Sequence, residues 1–289
     1  MERERWLILY RLVLSLDRGE TRGVFTAAVI VSVFFWGVIW DRPIAWACRR
    51  ANWPVDLRPR RLPSQSTMSR RLKTPAVAQL MQAVGAHPAL CGHVASDQPL
   101  IIDAKPLPIG GHSKDPESRW GQGVRSLSKG YKLYALWGAG PMPLCWRVAA
   151  ANISEQAMAE QMIAELPQGD GYLLGDKLYD INKLYDLAAQ RGYQLLAERK
   201  RPGTALGHCR HSPARLRGLA LLQTEAGRTL YQQRGDIERR FSGLTCFGGR
   251  LSPLPAWVRR QPRVQRWLHA KLIVNAIRQL LLNQPLAVA

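Results

Sequence analysis

The stretch Tyr231-Gln232-Gln233-Arg234-Gly235-Asp236-Ile237-Glu238-Arg239-Arg240-Phe241 organises the reading of this chain. As a helix it would place Tyr231, Arg234, Glu238 and Phe241 on one face, because offsets of three, four, seven and ten residues return to the same side of the cylinder. One carboxylate then stands among polar partners. Two further acids are placed to join it: Asp103 closes the apolar run Pro99-Leu100-Ile101-Ile102, and Asp176 closes Tyr172-Leu173-Leu174-Gly175. Each reads as an acid at the C-terminal end of a buried strand, where open α/β sheets build their sites. Three separated carboxylates converging there would hold divalent metal. Taken singly, each has a structural reading: Arg234 and Glu238 as a surface ion pair worth about 0.2–0.5 kcal/mol, and either aspartate as a turn or helix-cap residue.

A chain of 289 residues has room for one large domain, or for a catalytic domain with a smaller appendage. Its 41 Lys and Arg against 21 Asp and Glu leave a net charge of +20. That excess points to a polyanionic partner, nucleic acid before acidic lipid. The cysteines, at positions 48, 91, 145, 209 and 246, are scattered and odd in number, which argues against a disulfide framework and for a reducing cytosol. The run His208-Cys209-Arg210-His211 lacks a second ligand pair at a standard spacing, so zinc is not expected.

Val24 to Trp40 is free of charge but sits at the short end of the membrane-spanning range. It contains Thr26, Ser32 and Gly37 and stops at Asp41-Arg42-Pro43, so it reads as a helix buried inside a bundle. The mixed charges of Met1-Glu2-Arg3-Glu4-Arg5 do not make a secretory signal. A short helix is predicted over Pro43 to Trp53, then a linker marked by Pro54, Pro59 and Pro63. Ser64 is a candidate N-cap for a helix from Gln65 to Lys73, with Met68 and Leu72 inward and Ser66, Ser69, Arg70 and Lys73 outward. Thr74-Pro75 opens another helix, which Gly85 closes. Three short helices with a basic middle one suggest a helix-turn-helix that binds DNA; the competing reading is a solvated basic helix.

From Pro99 the pattern becomes strand-like. Ile101-Ile102-Asp103 is followed by a polar, glycine-rich and basic loop from Pro108 to Lys129, suited to tracking a phosphate backbone. Tyr131 to Trp137 and Leu144 to Ala149 read as paired strands, Ser154 caps a helix to about Leu166, and Tyr172 to Gly175 is a strand. Asp180 to Arg191 is an amphipathic helix ended by Gly192, and Tyr193 to Ala197 is one more strand. Residues 199–227, basic and rich in Gly, Pro and His, read as an insertion or loop. Arg263 to Leu282 closes the chain as a helix whose Leu268, Leu272, Ile273, Ala276 and Leu280 should pack on the core. This order predicts an α/β fold, a ribonuclease H-like mixed sheet flanked by helices over 96–289, preceded by an all-α DNA-binding region over 1–95.

These residues resemble the DDE transposases of bacterial insertion sequences, in the subgroup with a Tyr, Arg, Glu, Lys signature. Tyr231, Arg234 and Glu238 stand at the family's spacing; Ile101-Ile102-Asp103-Ala104-Lys105-Pro106 and Gly175-Asp176-Lys177-Leu178-Tyr179-Asp180 look like the first two catalytic motifs. Asp41-Arg42-Pro43, Trp46-Ala47-Cys48 and Leu62 to Leu72 are similar to transposase N-terminal text, so the likeness covers nearly the whole chain. The signature's lysine position falls on Thr245, so its cationic contact is missing or comes from Lys177, Arg239 or Arg240. The resemblance implies cleavage of double-stranded DNA at element ends and strand transfer to a target, with Asp103, Asp176 and Glu238 catalytic. It also implies Tyr231, Arg234, Lys105, Lys177 and Arg239 as DNA contacts near them. Two Mg²⁺ ions, replaceable by Mn²⁺, would be held by the three acids, with Asp103 bridging. A homodimer in a synaptic complex, a cytoplasmic and nucleoid-associated location, and no membrane are the corresponding expectations. Two other readings remain: a ribonuclease H-like nuclease without strand transfer, and a catalytically decayed DNA-binding protein.

Overall fold

The computed structural model describes residues 2–19, 23–123, 126–206, 211–246, 251 and 253–283, and the chain divides into two compact units. Among the described residues, the first unit comprises 2–91, 244–246 and 263–283, and the second comprises 92–243, 251 and 253–262.

The first unit is helical. It contains α1 (Glu2–Leu16), α2 (Ala27–Ile39), α3 (Ile44–Ala47), α4 (Gln65–Arg71) and α5 (Pro75–Gly85). Thr26 caps α2 by accepting the Val29 N–H, and nearly every residue of α2 is buried. A helix apolar on all sides belongs in the middle of a bundle. No helix among the described residues is long and apolar enough to cross a membrane. Around α2, Trp36 stacks on Trp53 with ring centroids 4.5 Å apart, and Trp6 meets both rings edge-on. Ser64 caps α4 as the sequence suggests, its Oγ accepting the Thr67 N–H at 3.2 Å, with Met68 buried.

The terminal helix, labelled α11 because five more precede it, spans Gln261–Asn283 and from Arg263 belongs to this helical unit. Of its expected core residues, Leu268, Leu272, Ile273 and Ala276 are buried. Phe34 of α2 meets Trp267 edge-on, and Lys271, 2% exposed, pairs with Asp41 at 3.3 Å. Residues 270–277 are buried on all sides of the helix, so the basic residues do not form one continuous outer face.

His269 lies against Gly85, where an added Cβ would come within 2.5 Å of its Nε2, and burial lowers its pKa from 6.5 to about 4. A histidine held neutral in the folded state and protonated in the unfolded one stabilises the unfolded state as pH falls below 6.5. The cost reaches about 2 kcal/mol at pH 5. Thermal melts of the native protein and His269→Gln at pH 7 and pH 5 should therefore differ in slope, the variant losing less stability on acidification. Equal slopes would exclude His269 as the cause.

The second unit is built on one mixed six-stranded sheet: β1 (Leu100–Pro108), β2 (Arg119–Gln122), β3 (Leu127–Trp137), β4 (Cys145–Ala150), β5 (Tyr172–Leu174) and β6 (Gln194–Leu196). The order is β2-β3-β1-β5-β6, with β4 also on β3; β1, β3 and β4 are antiparallel, whereas β5 and β6 join parallel to β1. Helices α6 (Glu155–Ala164) and α7 (Asn182–Gln190) cover one face, where Tyr134, Leu136, Met162, Ile163, Leu184 and Tyr185 form the core. This is the ribonuclease H-like α/β arrangement.

Four details differ from the sequence reading. First, Asp103 does not end a strand: β1 continues to Pro108 because β3 supplies an antiparallel partner along its length, Ile101↔Trp137 to Pro108↔Gly130. Second, the glycine-rich loop contributes strand β2, paired to the start of β3.

Third, residues 199–227 contain α8 (Pro213–Leu221) and the start of α9 (Glu225–Gln232), so the segment is not simply a loop. Gly218 argues against a helix in sequence, yet α8 packs so closely on β6 that a Cβ there would lie 2.6 Å from the Leu195 carbonyl. Ser212 caps α8, and Arg215 donates two hydrogen bonds to buried Asp180, at 2.7 and 2.9 Å. Of the zinc-like run His208-Cys209-Arg210-His211, residues 208–210 lie outside the described residues.

Fourth, the stretch from Tyr231 to Phe241 is not one α-helix. Tyr231 lies in the last turn of α9, which ends at Gln232; Gln233–Gly235 is a 3₁₀ turn, and α10 (Asp236–Cys246) begins afresh. The tighter turn shifts the angular register, so Ile237 and Phe241 are buried while Glu238 faces solvent.

Candidate active site

The parallel register of β1 and β5 sets the site. Ile101 is opposite Leu174, and two residues further on stand Asp103, still in β1, and Asp176, just beyond β5. The Ala104 N–H donates to Asp103 Oδ1 at 2.8 Å. Asp176 caps the 3₁₀ turn Lys177–Tyr179, its Oδ1 accepting the Leu178 N–H at 2.7 Å. Burial is the main cause that raises the Asp103 pKa to about 7; Asp176 and Glu155 raise it further, against the Ala104 N–H and Arg234, which lower it. Asp103 thus lies close enough to two other carboxylates to feel both, with Arg234 as the opposing cation.

Arg234 and Tyr231 reach this site from the junction of α9 and α10. The Tyr231 hydroxyl donates to the Gly175 carbonyl at 2.9 Å, one residue before Asp176. Burial, then Glu198, raises the Tyr231 pKa, so the phenol stays protonated as a donor. Arg234 approaches Glu238 only at 3.9 Å, and the Glu238 side chain is 73% exposed. The structure therefore brings together Asp103, Asp176, Tyr231 and Arg234, and leaves Glu238 turned outward in the first turn of α10.

The other cations named from sequence fall into distinct settings. Lys177 is exposed beside Asp176 and forms no ion pair among the described residues, whereas Arg239 pairs with Asp236. Arg240 is committed to the fold: it donates to the Gly140 carbonyl at 2.9 Å and lies 5.1 Å from the centre of the Trp137 ring. Lys105 is half-buried in β1, opposite Leu133. Thr245 lies in α10, in a part of it whose side chains are not described. In the helical unit, Ser66, Arg70 and Lys73 are exposed and Ser69 half-buried, along α4 and just after it.

Sequence reasoning missed Lys132 and Glu155. The ammonium of Lys132 meets Glu155 Oε1 at 2.8 Å, with side chains only 6% and 15% exposed. Lys132 sits inside the strand Tyr131 to Trp137, and a lysine interrupting such a run is the signal available. Glu155, directly after Ser154, reads as an ordinary first-turn acid of a helix, which is why it escaped.

Among the described residues no three Asp, Glu, His or Cys side chains gather closely enough to hold a metal ion. Asp103 and Asp176 nevertheless suit one: two hard oxygen donors, one strongly desolvated and its charge opposed by its neighbours, are relieved by a divalent cation.

Two aspartates, one within β1 and one just beyond the end of neighbouring β5 in a ribonuclease H-like sheet, flanked by a tyrosine and an arginine, define a nucleic-acid-processing domain. The family is narrower: residues 95–274 match the transposase DDE domain, well over half of the chain, and the protein belongs to that family. Its members cut and move DNA, generally with divalent metal ions. No curated protein and no solved structure matches the chain.

Proposed function

We propose that this transposase cleaves DNA at the ends of an insertion sequence and joins them to a target, using Mg²⁺ held by Asp103, Asp176 and Glu238. The observation that carries the reading is the juxtaposition of Asp103 in β1 with Asp176 just beyond β5, with Tyr231 and Arg234 beside them. Bound metal supplies charge neutralisation at the phosphate and a more acidic water or 3′-hydroxyl. Asp103 and Asp176 would hold the metal, and Glu238, exposed here, would complete the set only by turning inward. Arg234, close enough to act on Asp103, is placed to neutralise the scissile phosphate, and Tyr231 fixes the backbone next to Asp176 through Gly175. Of the three candidates to replace the signature lysine, Lys177 fits, because Arg239 and Arg240 are engaged elsewhere. The outer residues Ser66, Ser69, Arg70 and Lys73 of the α4 region contact DNA, as does Lys105, and two protomers act in a synaptic complex.

The exposure of Glu238 and the threonine at 245 favour a second reading, a decayed protein that binds DNA without cutting it. The test is an assay with labelled duplex carrying the ends that flank the gene, in Mg²⁺ and in EDTA, with Glu238→Gln beside the native protein. Metal-dependent nicking with joined products, both lost in the variant, is the expected result. Nicking without joining means a nuclease, and tight binding without cleavage in Mg²⁺ or Mn²⁺ means decay.

A further inference from the structure

The first turn of α6 touches both the central strand and the loop that carries Asp176. From β3, Lys132 pairs with Glu155 at 2.8 Å, and two residues along, the Tyr134 hydroxyl donates to the Ile153 carbonyl at 2.8 Å. A buried ion pair is costly to break from one side, so this double grip fixes where α6 begins on the sheet. The next residue, Gln156, reaches outward: its Nε2 donates to the Leu178 carbonyl at 2.9 Å. The N–H of the same Leu178 donates to Asp176 Oδ1 at 2.7 Å. One residue is thus held at its carbonyl by α6 and holds the second acid at its amide. Glu155 also lies near enough to the reaction centre to act on Asp103 and on buried Tyr179, so the anchor is contiguous with the site.

We propose that Gln156 is a positioning residue for Asp176, acting through Leu178 from a helix turn that the Lys132–Glu155 pair locks onto β3. Gln156 touches neither acid; it restrains the short 3₁₀ turn whose amide orients the Asp176 carboxylate toward Asp103. Without it the turn loosens, and the pair of aspartates presents a less organised ligand set. The inference rests on the reading of Asp103 and Asp176 as metal ligands.

Gln156→Met keeps the length and removes the donor at a position outside the core, whereas Lys132 and Glu155 variants would perturb folding. In metal-free, DNA-free protein, hydrogen exchange at the Leu178 amide should quicken about fivefold, the factor an ordinary hydrogen bond supplies. Mn²⁺ affinity, read by electron paramagnetic resonance, should weaken by a similar factor, with the melting temperature unchanged. Gln156→Lys, which returns a donor, should restore slow exchange. Unchanged exchange and Mn²⁺ affinity in Gln156→Met would overturn the proposal, as would a failure of Gln156→Lys to restore exchange. If native protein and Gln156→Met both bind no Mn²⁺, while Asp176→Asn matches them, the metal-site reading itself fails and the positioning role falls with it.

Discussion

Asp103→Asn should abolish DNA cleavage, by a factor on the order of a thousand or more, equivalent to about 4 kcal/mol of lost transition-state stabilisation. Asp103 is desolvated by burial and acted on by the other charges of the site: Asp176 and Glu155 raise its pKa and Arg234 lowers it. An amide is the same size but carries no charge, so it cannot balance a divalent cation or oppose Arg234. The fold should survive, because an amide costs less than a carboxylate to bury and its oxygen still accepts the Ala104 N–H. Duplex binding should therefore remain close to native while strand cleavage disappears in both Mg²⁺ and Mn²⁺. Strand cleavage at the native rate in Asp103→Asn would remove this residue from the reaction centre.

Asp180→Ala should be the most destabilising single change in the sheet unit, costing about 3–5 kcal/mol, the range for removing one partner of a buried ion pair. Asp180 is 6% exposed, accepts both bonds from Arg215, and also accepts the Lys200 N–H at 3.3 Å. Its loss removes the carboxylate to which Arg215 donates twice and frees the start of the segment after β6. Spread over the melting of a unit of this size, the loss should lower the midpoint by about 10 °C. Calorimetry settles this, and Asp180→Ala paired with Arg215→Met should recover part of the loss, because the double variant no longer holds a guanidinium without its carboxylate. A midpoint within about 2 °C of native in Asp180→Ala would show that solvent already carries the charge of Arg215.

The strand and helix periods were legible because they follow from local alternation and local caps. Ser64 before Gln65 and the apolar runs at 100–102 and 172–174 all lie where their chemistry predicts. Glycine signals misled where the tertiary structure overrode them, as at Gly218, which sits inside a helix and is glycine because the β6 backbone leaves no space for a Cβ.

The sequence by itself determined the class of this protein. Two aspartates after apolar strand-like runs, a Tyr, Arg and Glu at fixed spacing, and a charge of +20 are properties of order and composition, independent of packing. Only the tertiary structure decided how those residues stand to one another. Asp103 and Asp176 are neighbours because β5 adds parallel to β1 in one particular register, a pairing between segments some seventy residues apart that no local pattern encodes. Glu238 faces solvent because a 3₁₀ turn resets the helix ahead of it. Lys132, Glu155 and Gln156 became visible as parts of the site for the same reason: their partners are distant in sequence and close only once the sheet has formed.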